Sequence, residues 1–167
     1  MNDLAEQLNI YGRRGAVVDA NLLLLFFIGV YDRKSITTNP RLARFTVEDF
    51  DLLKQLLGRF NRVITTPNIL TEVSNLSNGI PEKDREAYFS LFADQLTLFD
   101  EEGVGSQSAL KSRWAKFGLT DAVIATIAKN KYLVITDDFR LSQSLRRDGI
   151  DTLNFNHIRD GYWQIHN

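Results

Sequence analysis

Residues 15–30 read Gly-Ala-Val-Val-Asp-Ala-Asn-Leu-Leu-Leu-Leu-Phe-Phe-Ile-Gly-Val, and the reading of this stretch decides the fold class. Ala16-Val17-Val18 is a short run of strand-forming character, entered from Gly15 and stopped by Asp19, which predicts a buried strand. Asn21 stands where a helix N-cap belongs, ahead of the apolar run from Leu22 to Ile28. The run extends only to Val30 with Gly29 inside it, short of the roughly 20 residues a membrane span needs, so it predicts a buried helix.

The same alternation of strand and helix continues along the chain. Val63 to Thr65 is a second strand. Thr66-Pro67 supplies a cap and a first-turn proline for a helix through Leu76, which Asn78-Gly79 stops. A helix from about Glu82 to Asp94 buries Leu91 and Phe92, and Leu96 to Phe99 alternates weakly as a third strand. Ser108 to Phe117 reads as helical with Gly118 as its stop. Thr120 is placed to cap the next helix, whose apolar face is Val123, Ile124, Ile127 and Ala128. Tyr132 to Ile135 is the clearest strand in the chain. Phe139 to Arg147 is a helix ended by Gly149, and Ile150 to Phe155 is an edge-like last strand.

Two segments stand outside this rhythm. Between Tyr31 and Phe60 one crossover is not enough: Asn39-Pro40 breaks the chain, and an amphipathic helix carrying Phe50, Leu53, Leu56 and Leu57 follows. Residues 1–14 form a short lead with Leu4, Leu8 and Tyr11 on one side. The pattern predicts one α/β domain over residues 1–167, a three-layer α/β/α sandwich around a mostly parallel sheet of four to five strands.

Composition narrows the chemistry. The chain has no cysteine, which excludes disulfides, thiolate nucleophiles and Cys-based zinc sites. Its two histidines, His157 and His166, lie together near the C-terminus, so a His-rich metal centre is not expected. A metal here would be held by oxygen, which favours Mg²⁺ or Mn²⁺. A net charge of −1 argues against a generally basic nucleic-acid-binding surface but leaves room for a local basic rim. The first residues lack the basic and apolar runs of a signal peptide, so the cytoplasm is the expected compartment.

In an open α/β sheet, ligands bind outside the carboxyl ends of the strands. Asp19 and Asn21 follow the first strand, Glu72 lies on the helix after the second, and Thr136-Asp137-Asp138 follows the clearest one. Asp121 opens the helix before that strand. Each acid taken singly is more often structural; Asp121, for instance, suits a helix N-terminus. Together they would repel one another unless a cation were present, and a divalent ion both supplies that charge and takes carboxylate oxygens as ligands.

Val17-Val18-Asp19-Ala20-Asn21, Thr66-Pro67 leading to Leu70-Thr71-Glu72, Leu119-Thr120-Asp121-Ala122 and Val134-Ile135-Thr136-Asp137-Asp138 resemble, in order, the motifs of PIN-domain nucleases, including VapC-like toxin ribonucleases. The resemblance covers roughly Gly15 to Phe155. It implies an endoribonuclease using Mg²⁺ or Mn²⁺, with Asp19 and Asp121 as direct ligands, Glu72 sharing the metal or its water, and Asp138 completing the set. It also implies that Thr136 hydrogen-bonds the first acid or a substrate phosphate and that Asn21 buttresses Asp19. An RNA substrate, a homodimer and an antitoxin partner are further implications. Asp137 adds an acid where the family often has a neutral residue, so the fourth role falls to either member of the pair. The stretch between Asp19 and Glu72 is longer than a minimal toxin needs.

Beside the acids, Arg140 is positioned next to the proposed metal site. Lys111, Arg113 and Lys116, like Arg146 and Arg147, are expected on solvated helix faces. Phe26, Phe27, Tyr88, Phe89 and Phe92 are expected in the core or a dimer surface, and Trp114 and Trp163 in packing. A phosphatase of the haloacid dehalogenase type is the rival enzyme, but it needs an aspartate where Asn21 stands. A PIN scaffold whose acids no longer form a working site, acting as a binding module, is the non-enzymatic alternative.

Overall fold

The computed structural model describes residues 4–166, with side chains through residue 162. Five strands, β1 (Ala16–Val18), β2 (Val63–Thr65), β3 (Asp100–Glu101), β4 (Leu133–Thr136) and β5 (Thr152–Asn154), form one parallel sheet in the order β3-β2-β1-β4-β5. Ten α-helices are present among the described residues: α1 (Leu4–Tyr11), α2 (Ala20–Tyr31), α3 (Ser35–Thr38), α4 (Val47–Leu57), α5 (Pro67–Leu76), α6 (Glu82–Gln95), α7 (Ser106–Leu110), α8 (Leu119–Ala128), α9 (Phe139–Arg147) and α10 (Phe155–His166).

The strand order explains the layering. From β1 the chain steps outward to β2 and β3; it then crosses back to β4 and continues to β5 on the other side. Right-handed crossovers in opposite directions place helices on opposite faces, giving the α/β/α sandwich. β1 pairs with both β2 and β4, with Val17 opposite Ile64 and Val134, and every β1 side chain is fully buried. The direction of winding reverses between β1 and β4, which makes their carboxyl ends the topological switch point of the sheet.

α2 is buried on almost every side, from Leu22 through Gly29, between the sheet and α4, α5 and α6. Gly29 is required there: a Cβ at this position would stand 2.3 Å from the Phe50 ring of α4. Phe27 stacks on Phe92 at 4.2 Å, and Phe26 meets Phe99 edge-on at 5.7 Å, so these aromatics are core residues. Trp114 is buried against Phe117. Hydrophobic contacts run without a break from Tyr11 to Phe155, and the lead helix α1 joins them through Leu4, Leu8 and Tyr11. The Tyr11 hydroxyl donates to Asp151 at 2.6 Å and anchors the lead beside β5.

Several local expectations need correction. Asp19, not Asn21, caps α2, because its own carboxylate reaches the Leu22 amide at 3.0 Å. α8 begins at Leu119 on Gly118, whose φ of 95° turns the chain without a side-chain cap; Thr120 is therefore inside the helix. Leu96–Leu98 is a 3₁₀ turn, and the third strand is the acidic pair Asp100–Glu101. The stretch from Ser108 to Phe117 is split between α7 and a 3₁₀ helix, Arg113–Phe117. The segment between Tyr31 and Phe60 holds α3, a 3₁₀ turn at Pro40–Leu42, and α4. The last strand ends at Asn154, where α10 takes over. No helix among the described residues is long and apolar enough to cross a membrane.

Candidate functional site

Asp19 is held from every direction. Its backbone N–H donates to Ile135 O at 3.0 Å, extending the pairing of β1 with β4, and its carbonyl accepts from Leu23 N at 3.0 Å. One carboxylate oxygen caps α2. The other accepts from the Asp137 amide at 3.1 Å and from the Thr136 hydroxyl in a short contact. Thr136 in turn accepts from Asp138 N at 3.0 Å, so its hydroxyl is committed to orienting the acids. The strand ends are what make this possible: β1 and β4 are neighbours, and residues 117 apart in sequence meet across them.

Asp137 lies behind Asp19, with its side chain wholly buried. Neither of its oxygens has an aligned hydrogen-bond donor. Its counter-charge is Arg44, whose Nη2 stands 2.5 Å from Oδ2 as an ion pair. Burial pushes the Asp19 carboxyl well above the usual carboxylate range, and the charge of Asp137 adds to the effect. Burial also raises Asp137, while Arg44 and the Asn21 side chain pull it back. Asn21 is exposed on the first turn of α2; it faces Asp137, and no hydrogen bond joins it to Asp19.

The second set of acids comes from three helices. Asp121 sits half-buried on the first turn of α8, and its carboxyl is pushed from about 3.8 up to about 6. Burial is the main cause; the charges of Glu72 and Asp138 raise it further. Glu72 is exposed on α5, beside the Ile69 and Val73 stripe that buries that helix, and lines a shallow cleft with Thr71, Asn75 and Thr120. Asp138 is exposed and caps α9 through Leu141 N at 3.0 Å. Arg140 is exposed on the first turn of the same helix.

The predicted acids fall into two sets: Asp19 with Asp137, and Asp121 with Glu72 and Asp138. Among the described residues, no three Asp, Glu or His side chains are grouped closely enough to enclose a metal ion. The donor chemistry nevertheless suits a hard cation. All donors are oxygens, burial raises both the Asp19 and the Asp121 carboxyls with neighbouring acids adding to it, and Mg²⁺ commonly takes only one or two carboxylates, filling its shell with water and substrate phosphate. Asp137 and Asp138 have different surroundings: Asp138 lies in the field of Asp121, whereas Asp137 is wholly buried and matched by Arg44.

Sequence reasoning missed the cationic side of the site. Arg159 on α10 donates to both oxygens of Asp49, at 2.8 and 2.7 Å, and to the carbonyl of Arg44 at 2.7 Å. Asp49 also closes the capping box of α4 with Thr46. Asn156, at the start of α10, donates to the Asp137 carbonyl at 2.8 Å. The amphipathic pattern of α4 hid this, because the fully buried Asp49 reads in sequence as an ordinary first-turn acid. The other basic residues are accounted for: Arg113 pairs with Asp148 at 2.6 Å, and Arg146 donates to the Thr152 carbonyl. Lys111, Lys116 and Arg147 are exposed, as is His157; the side chains of Trp163 and His166 lie outside the described residues. No protein-family model, characterised protein or solved structure matches this chain.

Proposed function

We propose that this protein is a Mg²⁺- or Mn²⁺-dependent endonuclease that hydrolyses phosphodiester bonds, with RNA as its substrate. The observation that carries the reading is the placement of the acids: Asp19 and Asp137 are tied together across the carboxyl ends of β1 and β4, and Asp121 lies in the field of Glu72 and Asp138. Burial raises two of these carboxyls, as expected of acids that lack a counter-charge. The similarity of the four motifs to PIN domains supports RNA as the substrate, and suggests a homodimer and an antitoxin partner. The nearby Asn21, being neutral, leaves a phosphatase mechanism without its general acid.

Asp19 and Asp121 would be the direct ligands of the ion, and Glu72 and Asp138 would act on it through water in its shell. When bound it supplies positive charge at the phosphoryl and leaving oxygens and acidifies a water. The chain's own residues do the positioning. Thr136 and the Asp137 amide lock one oxygen of Asp19, and the Leu22 amide locks the other, so this carboxylate cannot rotate away. Burial, with the charges of Glu72 and Asp138 adding to it, keeps Asp121 prone to hold a proton until positive charge arrives. No nucleophile–base pair suggests a covalent intermediate.

Cleavage of an unstructured RNA in Mg²⁺ or Mn²⁺, lost in Asp19→Asn and Asp121→Asn, is the expected result. Equal cleavage by wild type and variants, or none by wild type with either metal, overturns the reading. Turnover of p-nitrophenyl phosphate that disappears in Asp19→Asn would point to the phosphatase instead.

A further inference from the structure

The acidic rim carries one cation that is built in. Arg44 precedes α4 in the segment the chain inserts between β1 and β2, and three contacts hold it in place. Its Nη2 meets Asp137 at 2.5 Å, its guanidinium lies over the Phe45 ring at 5.2 Å, and its carbonyl is gripped by Arg159 at 2.7 Å. Arg159 is itself fixed by both oxygens of the buried Asp49 and lies over the same Phe45 ring at 5.1 Å. A residue whose sole task was to neutralise a wholly buried acid would be expected to be buried with it. Arg44 instead keeps 53% of its side chain in water while Asp137 shows none.

A guanidinium carries five N–H donors in a planar fork. With Nη2 beside Asp137, just over half of the Arg44 side chain stays open to water next to the residue that follows β4. Its orientation is set before any ligand arrives, which lowers the entropic cost of binding one. The fork matches the two free oxygens of a phosphodiester.

We propose that Arg44 forms an anion subsite of this rim, taking a phosphate of the RNA strand next to the bond to be cut. The inference rests on the nuclease reading and deepens it: Asp137 aims the guanidinium, Arg159 is a positioning residue, and Arg44 touches the substrate. The segment between Tyr31 and Phe60 thereby becomes part of the substrate path.

The test is binding of a short unstructured RNA, measured by fluorescence anisotropy over a range of salt, in Ca²⁺ and again in EDTA. Each phosphate contact on a single strand contributes about 0.7 to the slope of log affinity against log salt. Arg44→Met should weaken binding roughly tenfold and reduce the slope by about 0.7. Arg44→Lys should retain the slope while losing affinity, because it keeps the charge and loses the fork. Should Arg44→Met strand Asp137 and unfold the protein, the comparison is repeated in the Asp137→Asn background, where Arg44 has no buried acid to serve. The same loss of slope is expected there. If Arg44→Met matches its parent in affinity and slope in a folded background, Arg44 is only the partner of Asp137 and the subsite is overturned while the nuclease reading stands. If wild type binds no RNA in either buffer, both fall together.

Discussion

The two halves of the acidic rim differ in how their charge is managed. Asp19 is buried and tied to backbone amides and Thr136, and Asp137 is buried and matched by Arg44. Glu72 and Asp138 are exposed, and with half-buried Asp121 they are coupled chiefly through repulsion. One half is rigid and largely neutralised; the other is adaptable and short of positive charge. The difference suggests a division of labour, in which the buried half sets geometry and the open half provides the strongest demand for a cation.

Breaking either half should show which task it performs. The largest effect is expected for Asp19→Asn and Asp121→Asn, each costing several kcal/mol of transition-state stabilisation, about a thousandfold in cleavage rate. Single-turnover kinetics in saturating Mn²⁺ would check this, and a variant within a few-fold of wild type would remove that residue from the site. Next comes Arg159→Met, which strands the buried Asp49 and releases Arg44. A loss of about 3 kcal/mol in urea unfolding is expected, since removing one partner of a buried pair exposes the full cost of the other. A smaller stabilisation should follow added Mg²⁺ or Mn²⁺: about 2.7 kcal/mol at a hundred times the dissociation constant, seen as a rise in Tm that Asp121→Asn reduces.

The subtlest separation of the halves is by pH. An acid whose folded pKa lies above its unfolded value binds more protons in the folded state, so its stabilisation is lost as pH rises through the folded pKa. Asp121, raised to about 6, should make metal-free protein less stable as pH climbs from about 4 towards 6. Asp19 is held higher and should extend the fall beyond pH 6. Thermal melts in EDTA should therefore fall with pH over both ranges. Asp121→Asn should flatten the lower range and Asp19→Asn the upper one, and a curve unchanged by both variants would refute the picture of uncompensated acids.

The strands around the site were legible because their signals are local. Ala16–Val18, Val63–Thr65 and Leu133–Ile135 are apolar runs bounded by Asp, Thr-Pro and Thr-Asp, so period and punctuation agree. The edges were harder. β3 consists of two acids with no apolar pattern, and its place depends on pairing with Ile64 and Thr65. The capping role of Asp19 was hidden because Asn21 offers an equally good side chain two residues later; only the entry from β1 decides between them. The acids could be placed on one rim from strand ends alone. Arg44, Asp49 and Arg159 could not, because they act through contacts between segments distant in sequence that carry no recognised motif.

That separation has a consequence for how the protein comes into being. Contacts closed over long stretches of chain form late, after local helices and hairpin-length structure. Asp19 acquires its orienting hydroxyl only when residue 136 is available, and Arg44 its grip only when residue 159 is. A chain emerging from the ribosome therefore carries Asp19 and Glu72 without these contacts until residues 136 and 159 have been made. For an enzyme that would cut RNA, the site would stay unassembled until those later segments have emerged and packed against β1 and the start of α4.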